Sequence, residues 1–172
     1  MNAFGVIAGT FDPIHRGHIN FIERVMAELS LDRVYLLVEK KPRHKPVFAS
    51  LEHRLKMIEL AVADYSNIEI YPCDTDNYPI SNCLPKIKKS HFTGQIYLLA
   101  GHDVAEHIRS WNGAENLLKG VELVVAERQD GITSGQIRQA LSVGQKPTGV
   151  DPKVIDYINE NNLYGKEIIS GA

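Results

Sequence analysis

The chain has 172 residues, of which 44% are hydrophobic and 23% are charged, and its formal net charge is −2. This length and composition are typical of one soluble globular domain, and we take residues 1–172 as that domain. The charge provides no bulk positive field for nucleic acid, and no apolar stretch is long enough to span a membrane.

The start of the chain and its cysteines bear on the cellular compartment. The N-terminus, MNAFGVIAG, lacks the basic region and the cleavage-like site of a signal peptide. Cys73 and Cys83 suit free thiols in a reducing compartment. We therefore expect a cytoplasmic protein with neither a nucleic-acid nor a membrane partner, and the sequence leaves assembly into a homo-oligomer open.

The first forty residues predict a strand, a loop, a helix and a second strand. Residues 3–8 form a short apolar run that ends at a glycine, and residues 33–38 form another apolar run. Between them, residues 18–29 carry apolar side chains at helical spacing. This order is a βαβ unit, which implies a parallel sheet with a right-handed crossover.

The same alternation continues along the rest of the chain. Ser50 is a good N-cap for a helix whose apolar stripe runs over residues 51–62. Further strands are predicted at 67–72, 95–101 and 120–127, and further helices at 134–144 and 151–162. Between residues 77 and 90, Pro79 can open a helix, which Pro85 should then kink or end.

These elements predict an α/β fold: a single doubly wound, Rossmann-like domain with about five parallel strands, helices on both faces and a C-terminal helical segment. Ligands of such folds bind outside the carboxyl ends of the strands. The loops at that edge are 9–17, 39–49, 101–112 and 127–134, and we expect the functional site there.

The loop after the first strand reads GTFDPIHRGH. Gly9 lets the backbone pass close beneath a ligand, and Gly17 leaves the following helix N-terminus uncovered, where N–H groups favour an anion. Thr10, His15 and His18 can each donate a hydrogen bond to a phosphate. A structural turn with surface histidines and a zinc site are the alternatives, but a metalloprotease His-Glu-x-x-His pattern is absent.

A second helix start, TSGQIR, follows the fifth strand. Thr133 or Ser134 can cap this helix, and Arg138 can reach a phosphate with its planar guanidinium. Ordinary capping explains this segment alone, whereas two helix N-termini at one sheet edge suit a polyphosphate. In the basic loop KKPRHKP, Lys45 can steer phosphate, although most such runs are solvated surface.

These residues resemble a known family. GTFDPIHRGH matches the N-terminal motif of the H-x-G-H nucleotidyltransferase superfamily, and TSGQIR is similar to its C-terminal motif. Within the superfamily, the chain most resembles the bacterial nicotinate-nucleotide adenylyltransferases. The supporting stretches are RHKPVFASLEHRLKMIELA, GHDVAEHIRSWNG, VELVVAER and the tail VIDYINENNLYG.

The resemblance implies a reaction. AMP would pass from ATP to the phosphate of nicotinate mononucleotide, with release of pyrophosphate, in NAD biosynthesis. His15 and His18 would hold the phosphates in the transition state, and Arg138 would neutralise the leaving pyrophosphate. Mg²⁺ would be bound mainly through the ATP phosphates, without a metal site made by the protein.

The resemblance also implies binding residues. Those for ATP are Gly9, Thr10, Phe11, Gly101, Asp103, Thr133, Ser134 and Ile137. Those for the acceptor are Lys45, Tyr78 and Trp111. Of these, Trp111 would stack on the pyridine ring.

The chain departs from the family pattern in ways that keep alternatives open. Pro79 and Asn82 stand where the family usually has threonines, so the sequence leaves nicotinate and nicotinamide mononucleotide both open. Gly135 stands where the C-terminal motif usually has threonine. The short 127–132 connection also resembles the corresponding connection of the phosphopantetheine adenylyltransferases, whose acceptor is phosphopantetheine. A nucleotide-binding module without turnover is the remaining alternative.

Overall fold

The computed structural model describes residues 2–42, 46–71, 79–91, 94–101, 105–106, 108, 114–125 and 131–165. Its centre is a sheet of five parallel strands: β1 (Ala3–Gly9), β2 (Arg33–Val38), β3 (Ile68–Ile70), β4 (Gln95–Ala100) and β5 (Val121–Val125). The spatial order is β3-β2-β1-β4-β5. The chain changes direction across the sheet between β1 and β4, which is the position where doubly wound folds bind ligands.

Helices cover both faces of this sheet. They are α1 (Arg16–Leu29), α2 (Leu51–Val62), α3 (Pro79–His91), α4 (Ala114–Leu118), α5 (Ser134–Ser142) and α6 (Pro152–Glu160). Side chains of α1, α2 and α6 pack into one core, and side chains of α3 and α4 pack into the other. The predicted α/β fold class is therefore confirmed.

The two cores lie on opposite faces because successive residues of a strand point in opposite directions. Ile7, Leu36 and Leu99 belong to the first core, and their neighbours Val6, Leu37 and Leu98 belong to the second. The central strands are thus buried on both sides, which is why the sequence shows continuous apolar runs rather than alternation.

The caps of α2 and α6 agree with the sequence. Ser50 caps α2 by accepting a hydrogen bond from the His53 N–H, and Asp151 caps α6 by accepting one from the Lys153 N–H. Pro152 follows Asp151 at the start of α6, where its missing N–H costs no intrahelical bond.

Pro85 was expected to kink or end the helix, and the structure shows that it does not end it, because Pro85 lies inside α3. Ile80, Leu84 and Ile87 are buried and hold the helix against the second core. Pro85 itself is exposed, as is Ser81, whose carbonyl loses its helical partner and faces water. Tertiary burial therefore outweighs the local cost of the proline.

Cys83 is buried in α3 and disulfide-bonded, so the expectation of a free thiol at this position is wrong. The other cysteine of the chain, Cys73, lies outside the described residues. Among the helices that the structure describes, none is long and apolar enough to cross a membrane.

Candidate active site

The loop after β1 is shaped by a ring that folds back on it. Phe11 has a left-handed backbone with φ of 51°, and its side chain is 3% exposed. A Cβ atom at Gly9 would lie 2.9 Å from Cζ of Phe11, so glycine is required to make room for this ring. The Phe11 ring meets His18 edge-on, with 5.1 Å between centroids. Phe11 therefore packs against the side chain of His18, a predicted catalytic residue.

The two histidines lie together at the start of α1. His15 is the N-cap residue, both side chains are buried, and their ring centroids are 3.8 Å apart. The backbone N–H of His15 donates to Nδ1 of His18 over 3.2 Å. Because Nδ1 accepts, a neutral His18 ring carries its proton on Nε2, which makes that nitrogen a donor.

Gly17 gives the His15 ring its place. A Cβ atom at residue 17 would lie 3.1 Å from Nδ1 and Cε1 of His15, closer than side-chain carbons normally approach. The sequence predicted that Gly17 keeps the helix N-terminus open. In the structure, the missing side chain of Gly17 makes room for the His15 imidazole beside the first turn of α1.

Backbone amides at the start of α1 already have partners inside the protein. The Arg16 N–H donates to the Gly149 carbonyl over 2.7 Å, and the His18 N–H donates to the His15 carbonyl over 2.9 Å. These two amides therefore bond within the protein, whereas the sequence predicted N–H groups free to bind a phosphate at this terminus. The imidazoles of His15 and His18 are further groups of this segment that can contact an anion.

The N-terminus of α5 is capped by Thr133. Its hydroxyl accepts from the Gln136 N–H, while the Gln136 side chain accepts from the Thr133 N–H. Ser134 has a different role, because its hydroxyl donates to the Pro13 carbonyl over 2.9 Å. Ile137 is buried. The cap and the docking bond fix this terminus against the loop after β1.

Arg138 makes a second connection between the two motifs. Its Nη1 donates to the Asp12 carbonyl over 2.6 Å, and its guanidinium carbon lies 4.2 Å from the centroid of the Phe48 ring. The structure thus brings His15, His18 and Arg138 to one edge of the sheet, as the motif positions predicted.

Asp12 is a buried carboxylate that organises this edge. Its Oδ2 accepts from the Phe48 N–H over 2.7 Å, and its Oδ1 accepts from the Ala49 N–H over 3.2 Å. Oδ1 also accepts from the Tyr164 hydroxyl over 2.6 Å. Asp12 therefore ties the loop after β1 to the segment before α2 and to the chain beyond α6.

Arg54 performs a similar task with its guanidinium, although it is wholly buried. It donates to the backbone carbonyls of Thr10, Glu39, Lys40 and Ala49. Burial lowers the pKa of Arg54, while Asp12 and Glu39 favour its charged form. Sequence reasoning missed Arg54, but its position four residues before Ile58 on the buried face of α2 was a usable signal.

Tyr164 was also missed as a site residue. It is buried, and burial together with Asp12 raises the pKa of its hydroxyl far above the ordinary value for tyrosine. The hydroxyl therefore stays protonated and donates to the Asp12 carboxylate.

The remaining predicted residues are placed as follows. Thr10 donates through its hydroxyl to the Glu39 carboxylate over 3.2 Å. Gly101 follows β4 and accepts from the Ala105 N–H through its carbonyl. Lys45, Tyr78, Asp103 and Trp111 lie outside the described residues.

A cavity of about 310 Å³ is lined in part by His15. Arg16 and Tyr65 line it together with two acidic residues, Asp64 and Asp151. Two carboxylates disfavour a triphosphate. The basic and imidazole groups between α1 and α5 form the better anion site, so the candidate active site is the edge that holds His18 and Arg138.

Known proteins match both the sequence and the fold. The family model described as cytidylyltransferase-like matches residues 6–169. A protein of Enterococcus faecalis named probable nicotinate-nucleotide adenylyltransferase is 30% identical over 187 residues, covering 95% of this chain and 85% of its own length. A protein of the same name from Streptococcus pyogenes is 29% identical and covers 93% of this chain and 87% of its own length.

A solved structure shares the fold. The nicotinic acid mononucleotide adenylyltransferase of Plasmodium falciparum, complexed with NaAD, superposes with a TM-score of 0.76 at 18% identity. The match covers 95% of this chain and 98% of that one. On the family match and the curated relatives together, the chain belongs to the cytidylyltransferase-like family of nucleotidyltransferases and, within it, to the nicotinate-nucleotide adenylyltransferases.

Proposed function

We propose that this protein transfers AMP from ATP to the phosphate of nicotinate mononucleotide and releases pyrophosphate. The observation that carries the proposal is that Ser134 and Arg138 of α5 donate hydrogen bonds to the loop after β1, the loop that leads to the paired rings of His15 and His18. The names of the curated relatives support the same reaction.

In the proposed reaction, a phosphate oxygen of the acceptor attacks the α-phosphorus of ATP. A new P–O–P bond forms, the bond from the α-phosphorus to the bridging oxygen of pyrophosphate breaks, and pyrophosphate leaves with that electron pair. The protein forms no covalent bond in this step. Its contribution is the alignment of two anions and the stabilisation of the charge that develops.

The roles of the three side chains follow from their chemistry. The Nε2 proton of His18 can be donated to a phosphate oxygen, because Nδ1 already accepts from the backbone. Arg138 is a permanent cation whose planar N–H groups suit the leaving pyrophosphate. His15, packed against His18, lies where a second phosphate contact is possible.

We also propose that Mg²⁺ enters with ATP, held by phosphate oxygens and water. Asp12 is the carboxylate inside the loop after β1, and it already accepts from Phe48, Ala49 and Tyr164. Within the described residues, no group of three His, Cys, Asp or Glu side chains could hold a metal ion. The ion would supply charge neutralisation of the triphosphate.

The acceptor side of the proposal rests on the family resemblance. Lys45, Tyr78 and Trp111 are its predicted contacts, and Trp111 would stack on the pyridine ring. We expect Trp111→Ala to raise KM for the acceptor at least tenfold, about the loss of one good aromatic contact, with KM for ATP little changed. Steady-state kinetics with each substrate varied in turn measures both constants. An effect confined to ATP would contradict this assignment.

A labelling experiment tests which bond of ATP breaks in the reaction. With nicotinate mononucleotide as acceptor, label from [α-³²P]ATP should enter a dinucleotide, and label from [γ-³²P]ATP should enter pyrophosphate. Label from the γ position in the nucleotide product would mean transfer of another group. Binding of ATP without any product would favour a nucleotide-binding module.

A further inference from the structure

The guanidinium of Arg138 is held on two sides. On one edge, Nη1 donates to the Asp12 carbonyl over 2.6 Å. On one face, the Phe48 ring centroid lies 4.2 Å from the guanidinium carbon. The other N–H groups of the fork remain available for an anion, because neither contact uses them.

Phe48 is placed unusually for a phenylalanine. Its side chain is 42% exposed, and it belongs to neither hydrophobic core. The face of a phenyl ring attracts a cation. An exposed ring beside a predicted catalytic arginine is therefore better explained by the guanidinium that it contacts than by core packing.

Asp12 contacts both the backbone of Phe48 and the guanidinium of Arg138. The Asp12 carboxylate accepts from the Phe48 N–H over 2.7 Å, while the Asp12 carbonyl accepts from Arg138. The Tyr164 hydroxyl donates to the same carboxylate and fixes its orientation. Asp12 thus anchors the backbone that carries the ring and one edge of the guanidinium.

We propose that Phe48 is a positioning residue for Arg138 and that its ring keeps the guanidinium oriented toward the leaving pyrophosphate. This inference rests on the proposed function. If the guanidinium is oriented before the reaction, no ordering cost arises as charge develops on the leaving group. Its electrostatic stabilisation is then fully available in the transition state. Phe48 acts through Arg138 and need not touch a substrate.

The first test compares Phe48→Leu, Phe48→Trp and Val47→Ala. Val47 is the matched control, because it is the neighbouring exposed apolar residue, at 37% exposure. Phe48→Leu should lower kcat about two- to fivefold, the factor expected for an exposed cation–π contact, with KM for the acceptor unchanged. Phe48→Trp should restore kcat, and Val47→Ala should match the wild type.

The second test places Phe48→Leu in an Arg138→Ala background. If the ring acts through the guanidinium, Phe48→Leu should have no further effect once the guanidinium is gone. An equal factor in both backgrounds would contradict the inference and indicate a structural role. A rise in acceptor KM without a change in kcat would contradict it as well, by placing the ring against the acceptor.

Calorimetric titration with inorganic pyrophosphate separates this inference from the proposed function, because it requires no turnover. Phe48→Leu should weaken pyrophosphate binding about two- to fivefold, and only when Arg138 is present. Equal affinities in wild type and Phe48→Leu, or no pyrophosphate binding by the wild type, would overturn the inference. A wild type that binds pyrophosphate but transfers no AMP would instead overturn the proposed function.

Discussion

At the scale of single residues, one backbone amide determines the chemistry of His18. The His15 N–H donates to Nδ1, which assigns the proton of a neutral ring to Nε2. The Phe11 ring packs edge-on against the same imidazole and limits its rotation. The His18 imidazole is therefore a preorganised donor, as a reaction that develops charge on phosphate oxygens requires.

Replacement of His18 by alanine should lower kcat about 10²- to 10³-fold, because a preorganised donor to the developing charge is removed. It also removes one capping bond and a buried ring, so the free energy of unfolding should fall by about 2–4 kcal/mol. Pyrophosphate release and urea unfolding measure the two effects. A kcat within threefold of the wild type would remove His18 from the mechanism.

Arg138→Lys should lower kcat at least tenfold although the charge is kept. A lysine ammonium cannot reproduce a planar fork that bonds the Asp12 carbonyl and still offers paired donors to pyrophosphate. The assay is the same pyrophosphate release, with Lys146→Arg as the control for exchange between these two residue types at an exposed position. Unchanged kinetics in Arg138→Lys would remove the guanidinium from the site.

The sequence could predict His15, His18 and Arg138 because their types and spacing lie within short contiguous motifs. The structural roles of Asp12, which lies within the first motif, and of Arg54 could not be found in this way. Their partners are backbone groups of loops that are distant along the chain and meet only in the folded protein.

At the scale of elements, α2 serves the site through a buried cation. Arg54 projects from α2 toward the loops that follow β1 and β2, and its guanidinium donates hydrogen bonds to backbone carbonyls of both loops. A buried carbonyl that loses its donor carries a desolvation cost, so these loops depend on one side chain. The position of α2 against the sheet thereby sets the shape of the edge where substrates are proposed to bind.

Arg54→Ala should lower the free energy of unfolding by about 3 kcal/mol or more, since two buried carbonyls, those of Thr10 and Ala49, lose their donor and a large cavity is left. Lys56→Ala is the matched control on the same helix, because its ion pair with Glu59 is exposed and worth at most about 1 kcal/mol. Urea denaturation measures both. Equal losses in the two variants would contradict the role given to Arg54.

Element boundaries show where periodicity succeeds and where it fails. β2 was predicted at 33–38 and is found there, because its apolar run is bounded by polar residues. β3 was predicted at 67–72; it is found at Ile68–Ile70, bonds to β2 also flank it at Asn67 and Tyr71, and residue 72 lies outside the described residues. α1 begins at Arg16, two residues before the predicted 18, with His15 at the N-cap position and its N–H donating to Nδ1 of His18.

At the scale of the whole molecule, the two ends of the described chain are joined. Tyr164, beyond α6, donates to Asp12 in the first loop, and α6 packs against α2 in the first core. The doubly wound sheet was predictable from alternating apolar runs. The hydrogen bond from Tyr164 to Asp12 was not predictable, because it depends on one hydroxyl that reaches one buried carboxylate only in the folded protein.

The stability of the protein should therefore depend on Tyr164 at alkaline pH. The pKa of Tyr164 is raised in the folded protein by burial and by Asp12, whereas tyrosine in the unfolded chain has a pKa of about 10. Above that pH the unfolded chain releases a proton that the folded protein retains. On this account the free energy of unfolding falls by about 1.4 kcal/mol per pH unit, while below about pH 10 the stabilisation is fully present.

Tyr164→Phe should remove this contribution to the alkaline slope. Urea unfolding of wild type and variant from about pH 8 to about pH 11 measures the difference, and the other titrating groups contribute equally to both. The two curves should converge above about pH 10. Curves that stay parallel would show that Tyr164 does not titrate as its environment implies.

The most direct test of the central claim is pyrophosphate release from ATP and Mg²⁺ with three acceptors in parallel: nicotinate mononucleotide, nicotinamide mononucleotide and phosphopantetheine. The account predicts release with the pyridine mononucleotides and the highest kcat/KM with nicotinate mononucleotide. Release with phosphopantetheine alone, or with none of the three, would contradict it.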